Sequence, residues 1–296
     1  MSASRAYRLN EDEPLPDGIR RIARGRIDHA IDELRGKTDS TPEEAVHEAR
    51  KDMKKLRALL RLARGELGED TFSRENACFR DAARELAGAR DSDVMLETLG
   101  ALELSPGVGF ELRKAIEADR RRNGAGDRAG AARDALAILK EARNRVGDWP
   151  LEHDSFEAVA GGLGRTYRRG RRALKAAGAE PSVEALHEWR KRVKELWYDH
   201  TLLCALWPPV MAAAGDEAHE LSELLGDDHD LAVLASWVSE NGEAGPELFE
   251  AVDRRRDELQ QEAFALGARV YAEKPRAFVR RLGRLWDASE AEVRAP

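Results

Sequence analysis

Apolar residues recur along this chain at alternating spacings of three and four. Val46, Ala49, Met53, Leu56 and Leu60 make one such stripe, and Leu186, Trp189, Val193 and Leu196 make another. That period belongs to helices that bury one face, and no stretch of useful length alternates as a strand would. Breakers divide the pattern. Thr41-Pro42-Glu43-Glu44 is a capped helix start with proline in the first turn, Pro181-Ser182-Val183-Glu184 sets up a second, and Trp207-Pro208-Pro209 ends that helix. The reading predicts helices over roughly 17–36, 41–65, 70–101 and 107–146, then 153–177, 181–206, 209–240 and 245–287. Gly147-Asp148-Trp149-Pro150 marks a seam between the two sets. The stretch Gly124 to Gly130 is glycine-rich, but no strand precedes it and no Lys-Ser or Lys-Thr follows, so it reads as a turn inside the 107–146 segment and not as a nucleotide loop.

The two sets repeat each other. Ala45 to Leu56 aligns without gaps on Ala185 to Leu196 at an offset of 140, with seven of twelve positions identical. Downstream, Leu86 to Met95 lies against Leu225 to Leu234 at an offset of 139, and Asp119-Arg120-Arg121-Arg122 finds a counterpart in Asp253-Arg254-Arg255-Arg256. Upstream, Gly18 to Arg24 matches Gly162 to Arg168 more weakly. Preserved order over this distance signals an internal duplication. The expected architecture is all-α, with two homologous bundles of about four helices each: a polar tail over 1–16, a first half over 17–150 and a second over 151–296.

Composition fits that picture, with 42% hydrophobic and 35% charged residues and few aromatics. The formal charge is −7, so whole-molecule electrostatics give no reason to expect a polyanion. Cys78 and Cys204 are too few for a disulfide scaffold or metal knuckle and read as buried thiols of a reducing compartment. The amino terminus lacks the basic-then-apolar pattern of a signal peptide, and the longest apolar run, near Leu202 to Trp207, is far shorter than the roughly 20 residues a membrane span needs. A cytoplasmic protein without a membrane partner is expected.

Charge distribution changes the picture. On a helix, His47, Arg50, Lys51, Lys54 and Arg61 fall on a second stripe about 130° from the apolar one, with Arg57 nearby, and His187, Arg190, Lys191 and Lys194 repeat it. Like charges stacked at these spacings cost an isolated helix a few tenths of a kcal/mol per pair. A solvated face, with Glu44, Glu48 and Asp52 as counter-charges, explains either helix alone, but the cations recur in both copies while the residues around them vary. Arg165, Arg168, Arg169 and Arg172 share a face of the 153–177 helix, and Arg21 and Arg24 hold the related place in the first half. Arginine forks and lysine point charges suit phosphate. Nucleic acid is disfavoured, because few aromatics besides Tyr167 and Tyr198 accompany these cations.

Neighbouring cations favour neutral His47 and His187, auxiliary donors on these stripes. His29, His153, His200 and His219 have no repeat partner and read as packing or surface residues. A rival reading is a metal-dependent phosphohydrolase built on His187, His229 and Asp230, although the first half offers only Arg90-Asp91 at the equivalent place. Asp91 and Asp230 read better as helix-start or ion-pair residues that hold basic side chains. No catalytic constellation, metal set or cofactor motif stands out.

Taken together, His-Glu-x-Arg-Lys at 47–51 and 187–191 with Lys54 and Lys194, Leu-x-x-Ala-Arg-Asp-x-Asp-Val at 86–94, Leu-Gly-x-x-His-Asp at 225–230 and Arg-x-Tyr-Arg-Arg-Gly-Arg at 165–171 resemble the conserved-histidine α-helical domain (CHAD) family. The resemblance covers nearly the whole chain. It implies a pseudo-two-fold pair of helical bundles around a basic groove or pore. It also implies binding, without hydrolysis, of inorganic polyphosphate by the paired histidines and cations, and association with polyphosphate granules or polyphosphate-metabolising enzymes. Ala87 and Gly88 depart from the family's more usual Leu-Gly, which bears on the turn geometry there.

Overall fold

The computed structural model describes residues 6–10, 12–86, 91–123, 128–241 and 245–293. Among them are eleven α-helices and no strand: α1 (Leu15–Leu34), α2 (Pro42–Leu62), α3 (Arg64–Glu85), α4 (Asp91–Gly100), α5 (Pro106–Asn123), α6 (Arg128–Arg145), α7 (Glu157–Ala179), α8 (Val183–Leu202), α9 (Pro208–Asn241), α10 (Pro246–Val270) and α11 (Pro275–Val293). The signals read from sequence act where expected. Thr41 caps α2 in a full capping box with Glu44, and Ser182 accepts from the Ala185 amide to start α8. Helices α5 and α6 divide the 107–146 segment around the stretch read as a turn, and where single helices were expected over 70–101 and 245–287 the chain forms pairs, α3 with α4 and α10 with α11. The second break lies at Tyr271 to Lys274, just ahead of Pro275, which cannot sit inside a helix without losing a backbone bond. Residues 124–127 and 87–90 lie outside the described chain.

One large apolar core holds most of these helices. It draws Ile22 and Ile27 from α1, Met53 and Leu60 from α2, Phe79 from α3, Trp149, Leu163 and Tyr167 around α7, Trp189 from α8 and Phe278 from α11. Helix α7 crosses the end of α2 at Gly162, where a Cβ would run into the backbone of Leu62. Only glycine permits that approach. It brings α7 beside α2, which also packs on α8. A second, smaller cluster joins Met95, Leu99, Leu112 and Ile116 of α4 and α5 to Leu234, Val238, Leu248 and Val252 of α9 and α10. Helix α9, 34 residues and about 51 Å long, serves both. No helix among the described residues is long and apolar enough to cross a membrane.

Candidate functional site

Helices α2 and α8 carry the repeated motif, and each turns its apolar stripe into the core. Ala49, Met53, Leu56 and Leu60 are fully buried on α2, as are Leu186, Trp189, Val193 and Leu196 on α8. Val46 is half-buried against the same core. The cations stay at the surface. Lys54 and Lys191 are exposed, and His47, Arg50, Lys51, His187, Arg190 and Lys194 are half-buried. Short acid pairs hold some in place: Lys51 reaches Glu48 at 2.8 Å, and Lys191 reaches Glu188 at 3.1 Å.

Across the α2–α8 contact, two groups of like charge meet. In one, Lys194 feels the positive charges of Arg190 and of Lys51 from α2, with Glu223 at 3.8 Å and Asp230 on α9 opposing them. Burial first, then Arg190, lowers the Lys194 ammonium below its ordinary range. The other group gathers Arg57 and Arg61 of α2, Arg192 of α8, Arg169 of α7 and Arg80 of α3. Glu195 takes Arg192 at 2.7 Å and Arg61 at 3.4 Å, and Asn76 accepts from Arg57 at 3.1 Å. Burial and then the Arg61 charge bring Arg57 down to about 10, still protonated at neutral pH. Arg61 is lowered by burial and by Arg192 and Arg169, although Glu195 opposes them.

Arg165 is half-buried, and burial followed by the charges of Arg64 and Arg168 lowers it. Arg168, Arg169 and Arg172 are exposed along α7. Arg168 and Arg172 line a cavity of about 360 Å³ with Arg171, Lys175, Tyr271 and Pro275. Arg21 and Arg24 point to other neighbours. Glu13 and the Arg8 carbonyl hold Arg21, while Arg24 lies over Gly147 beyond the end of α6. Arg80 and Arg192 do not appear among the binding residues read from sequence, and Arg171 enters there only as the last residue of the 165–171 element. Arg192 stands where the first copy has Asp52, so a search for cations shared by both copies passes over it.

The histidines divide as well. His187 lies against His229 of α9, with ring centroids 4.2 Å apart and the ring planes tilted by 31°. Burial first, then His229, Lys191 and Arg190, lowers His187 to about 4, and the ring is neutral at physiological pH. His229 is lowered mainly by burial, with Arg190 and Arg256 adding to it and Asp230 and Asp228 opposing. Both Nδ1 atoms are buried and have no hydrogen-bond partner among the described residues. Among the described residues no group of three or more His, Cys, Asp and Glu is placed to hold a metal ion, His187, His229 and Asp230 included. Asp230 lies inside α9, so it acts through its charge on Lys194 and His229 and not as a helix start. The side chain of Asp91 lies outside the described residues. Of the remaining histidines, His29 bonds Asp52 at 2.6 Å, His153 bonds Glu66 at 2.9 Å, His200 is buried and His219 stacks on Trp197.

A family model described as the CHAD domain matches residues 21–239, well over half of the chain. The chain belongs to the CHAD family. Its fold is similar to that in a crystal structure of the CHAD domain from the plant Ricinus communis, with a TM-score of 0.60 and 18% identity. The match covers 90% of this chain and 94% of that one. None of the curated proteins matches it. At 18% identity the structural likeness supports the CHAD fold alone.

Proposed function

We propose that this CHAD protein binds inorganic polyphosphate without cleaving it, along the face where α2, α7 and α8 meet. One observation carries the reading: guanidinium and ammonium groups from these three helices gather half-buried on one face, where burial first and then their mutual repulsion lower Arg57, Arg61 and Lys194 while Glu195 and Glu223 oppose the shift. A chain of phosphates relieves that repulsion. Arginine forks chelate its oxygens in pairs, lysines add point charge, and Arg168 and Arg172 extend the track along α7. His187, neutral and partly buried, supplies a hydrogen bond. Binding of this kind makes no covalent demand, and the same reading implies association with polyphosphate granules or with enzymes that make and consume the polymer.

The decisive experiment compares wild type with a variant carrying Arg50→Glu, Lys54→Glu, Arg190→Glu and Lys194→Glu. Affinity for long-chain polyphosphate should fall by at least about 100-fold, as expected when several charge-assisted contacts are lost together. By analogy with counterion release from DNA, six to ten neutralised phosphates make wild-type affinity drop about 10³- to 10⁵-fold between roughly 50 and 200 mM salt. Unchanged binding by the variant, or affinity flat in salt, refutes the site. Chain shortening in the presence of Mg²⁺ or Mn²⁺ would favour the phosphohydrolase, and displacement by nucleic acid at equal phosphate concentration would favour a nucleic-acid binder.

A further inference from the structure

The cavity of about 360 Å³ beside α7 opens where the second half of that helix meets the loop between α10 and α11. Its walls are fixed by contacts made within the fold. A Cβ at Gly170 would overlap the Tyr271 ring, so glycine alone lets this loop close onto α7. The Tyr167 hydroxyl then holds the loop, donating to the Val270 carbonyl at 3.1 Å and accepting from the Glu273 amide at 3.2 Å. Arg171 donates to the Tyr271 carbonyl at 3.0 Å and to the Glu273 carbonyl, which covers the negative end of α10. The corner is set before any ligand arrives.

Charge narrows the choice of occupant. Arg168, Arg172 and Lys175 line this cavity, and no carboxylate is among the described residues that do. Lys274 and Arg276, both exposed, flank its Pro275 wall, and Glu273 beside them is taken by Arg281 at 2.7 Å. One sign on every charged wall selects an anion, and guanidinium forks with lysine point charges suit phosphate oxygens. Tyr271 is only 3% exposed, so it offers no open ring on which a nucleic-acid base could stack. None of the large apolar side chains exposed among the described residues stands here to enter a membrane. The volume falls in the range of about 300 to 1,000 Å³ of small-ligand sites, and preset walls lower the ordering cost. Tyr271, Lys274, Pro275 and Arg276 lie beyond residues 21–239, so this corner does not follow from the family match.

We propose that this corner is a second phosphate site, seating a short run of phosphate groups among Arg168, Arg172, Lys175, Lys274 and Arg276. The run is either a free oligophosphate or a stretch of a polymer whose remainder lies along α2 and α8, and only the polymeric source rests on the function proposed above. Isothermal titration calorimetry with tripolyphosphate and with long-chain polyphosphate tests it on wild type, on the Arg50→Glu, Lys54→Glu, Arg190→Glu, Lys194→Glu variant and on a corner variant. The corner variant carries Lys175→Glu, Lys274→Glu and Arg276→Glu, all at exposed positions, so it should fold. Tripolyphosphate affinity should fall tenfold or more in the corner variant and stay at the wild-type value in the other. A polymeric source also lowers the slope of log affinity for long chains against log salt by about 2 in the corner variant, at about 0.7 for each phosphate contact on a single strand. An unchanged slope with tripolyphosphate binding lost assigns the corner to free oligophosphate. Failure of wild type to take up tripolyphosphate, or wild-type affinity for it in the corner variant, overturns the proposal. Wild-type long-chain affinity in the variant altered on α2 and α8 would instead refute that face and leave the corner standing.

Discussion

Helices α2 and α8 share the His-Glu-x-Arg-Lys motif, and their fifth residue after the histidine shows how far the neighbouring helix decides its use. In α2 that residue is Asp52, buried against α1, where it meets Arg26 at 3.1 Å and His29 at 2.6 Å. In α8 it is Arg192, bonded to Glu188 and Glu195 of its own helix, with Arg61 of α2 sharing Glu195. The first copy spends the position on fastening two helices through a buried ion pair. The second adds another cation to the shared face. His187 of α8 lies against His229 of α9; the first-half segment that aligns with His229, 87–90, lies outside the described residues.

If that contrast is right, the two positions respond very differently to truncation. Asp52→Ala removes the carboxylate facing a guanidinium that is 2% exposed, which costs about 3 to 5 kcal/mol. Arg192→Ala costs about 1 to 2 kcal/mol, because Glu195 keeps Arg61 and Glu188 is half in solvent. Urea unfolding measures both, and equal losses would erase the distinction.

A smaller effect separates the two histidine environments by pH. His187 and the buried His200 both sit near 4, below their unfolded value of about 6.5, so the unfolded chain binds more protons between those limits. Stability without ligand should therefore be full above about pH 6.5 and fall as pH drops toward 4. His200 alone contributes a slope of up to about 1.4 kcal/mol per pH unit, and His187, half in solvent, contributes less. A bound polyanion favours the protonated His187, so polyphosphate should move the loss to lower pH in wild type and less so in His187→Asn. Melting curves with and without polyphosphate across this range give the answer; an identical shift in both proteins removes His187 from the site.

Smallest is the effect of Gly226→Ala. A Cβ at Gly226 runs into the Arg190 guanidinium, whose far end can swing aside. Polyphosphate affinity should fall about three- to tenfold, as one charge-assisted contact is misplaced, while helix propensity leaves stability equal or slightly raised. Affinity unchanged by the substitution would show that Arg190 does not depend on lying against α9.

Much of this was legible in the sequence because it is carried by local period. The core stripes of α2 and α8 follow from spacings of three and four, and the caps at Thr41 and Ser182 follow from residue type. What a helical wheel omits is the surface that faces it. It placed Arg21 with the basic residues but had no means of seeing Glu13 beside it, and comparison of the copies hid Arg192 behind Asp52. The pairing of His187 with His229 depends on the α8–α9 packing, 42 positions apart in the chain. The break before α11 has a local mark in Pro275, which the long amphipathic pattern around it masks.

The second apolar cluster gives α9 a further consequence. Among the described residues its ten buried side chains come from α4, α5, α9 and α10 and form a group separate from the main core, with Leu224 of α9 touching both. Regions held by a separate apolar cluster open more readily than the main core, so the amides of α4 and α5 should exchange hydrogen faster than those of α2 and α8. Because the same helix carries His229 and Asp230 beside the cation face, such an opening would be felt there through the shaft that the two units share.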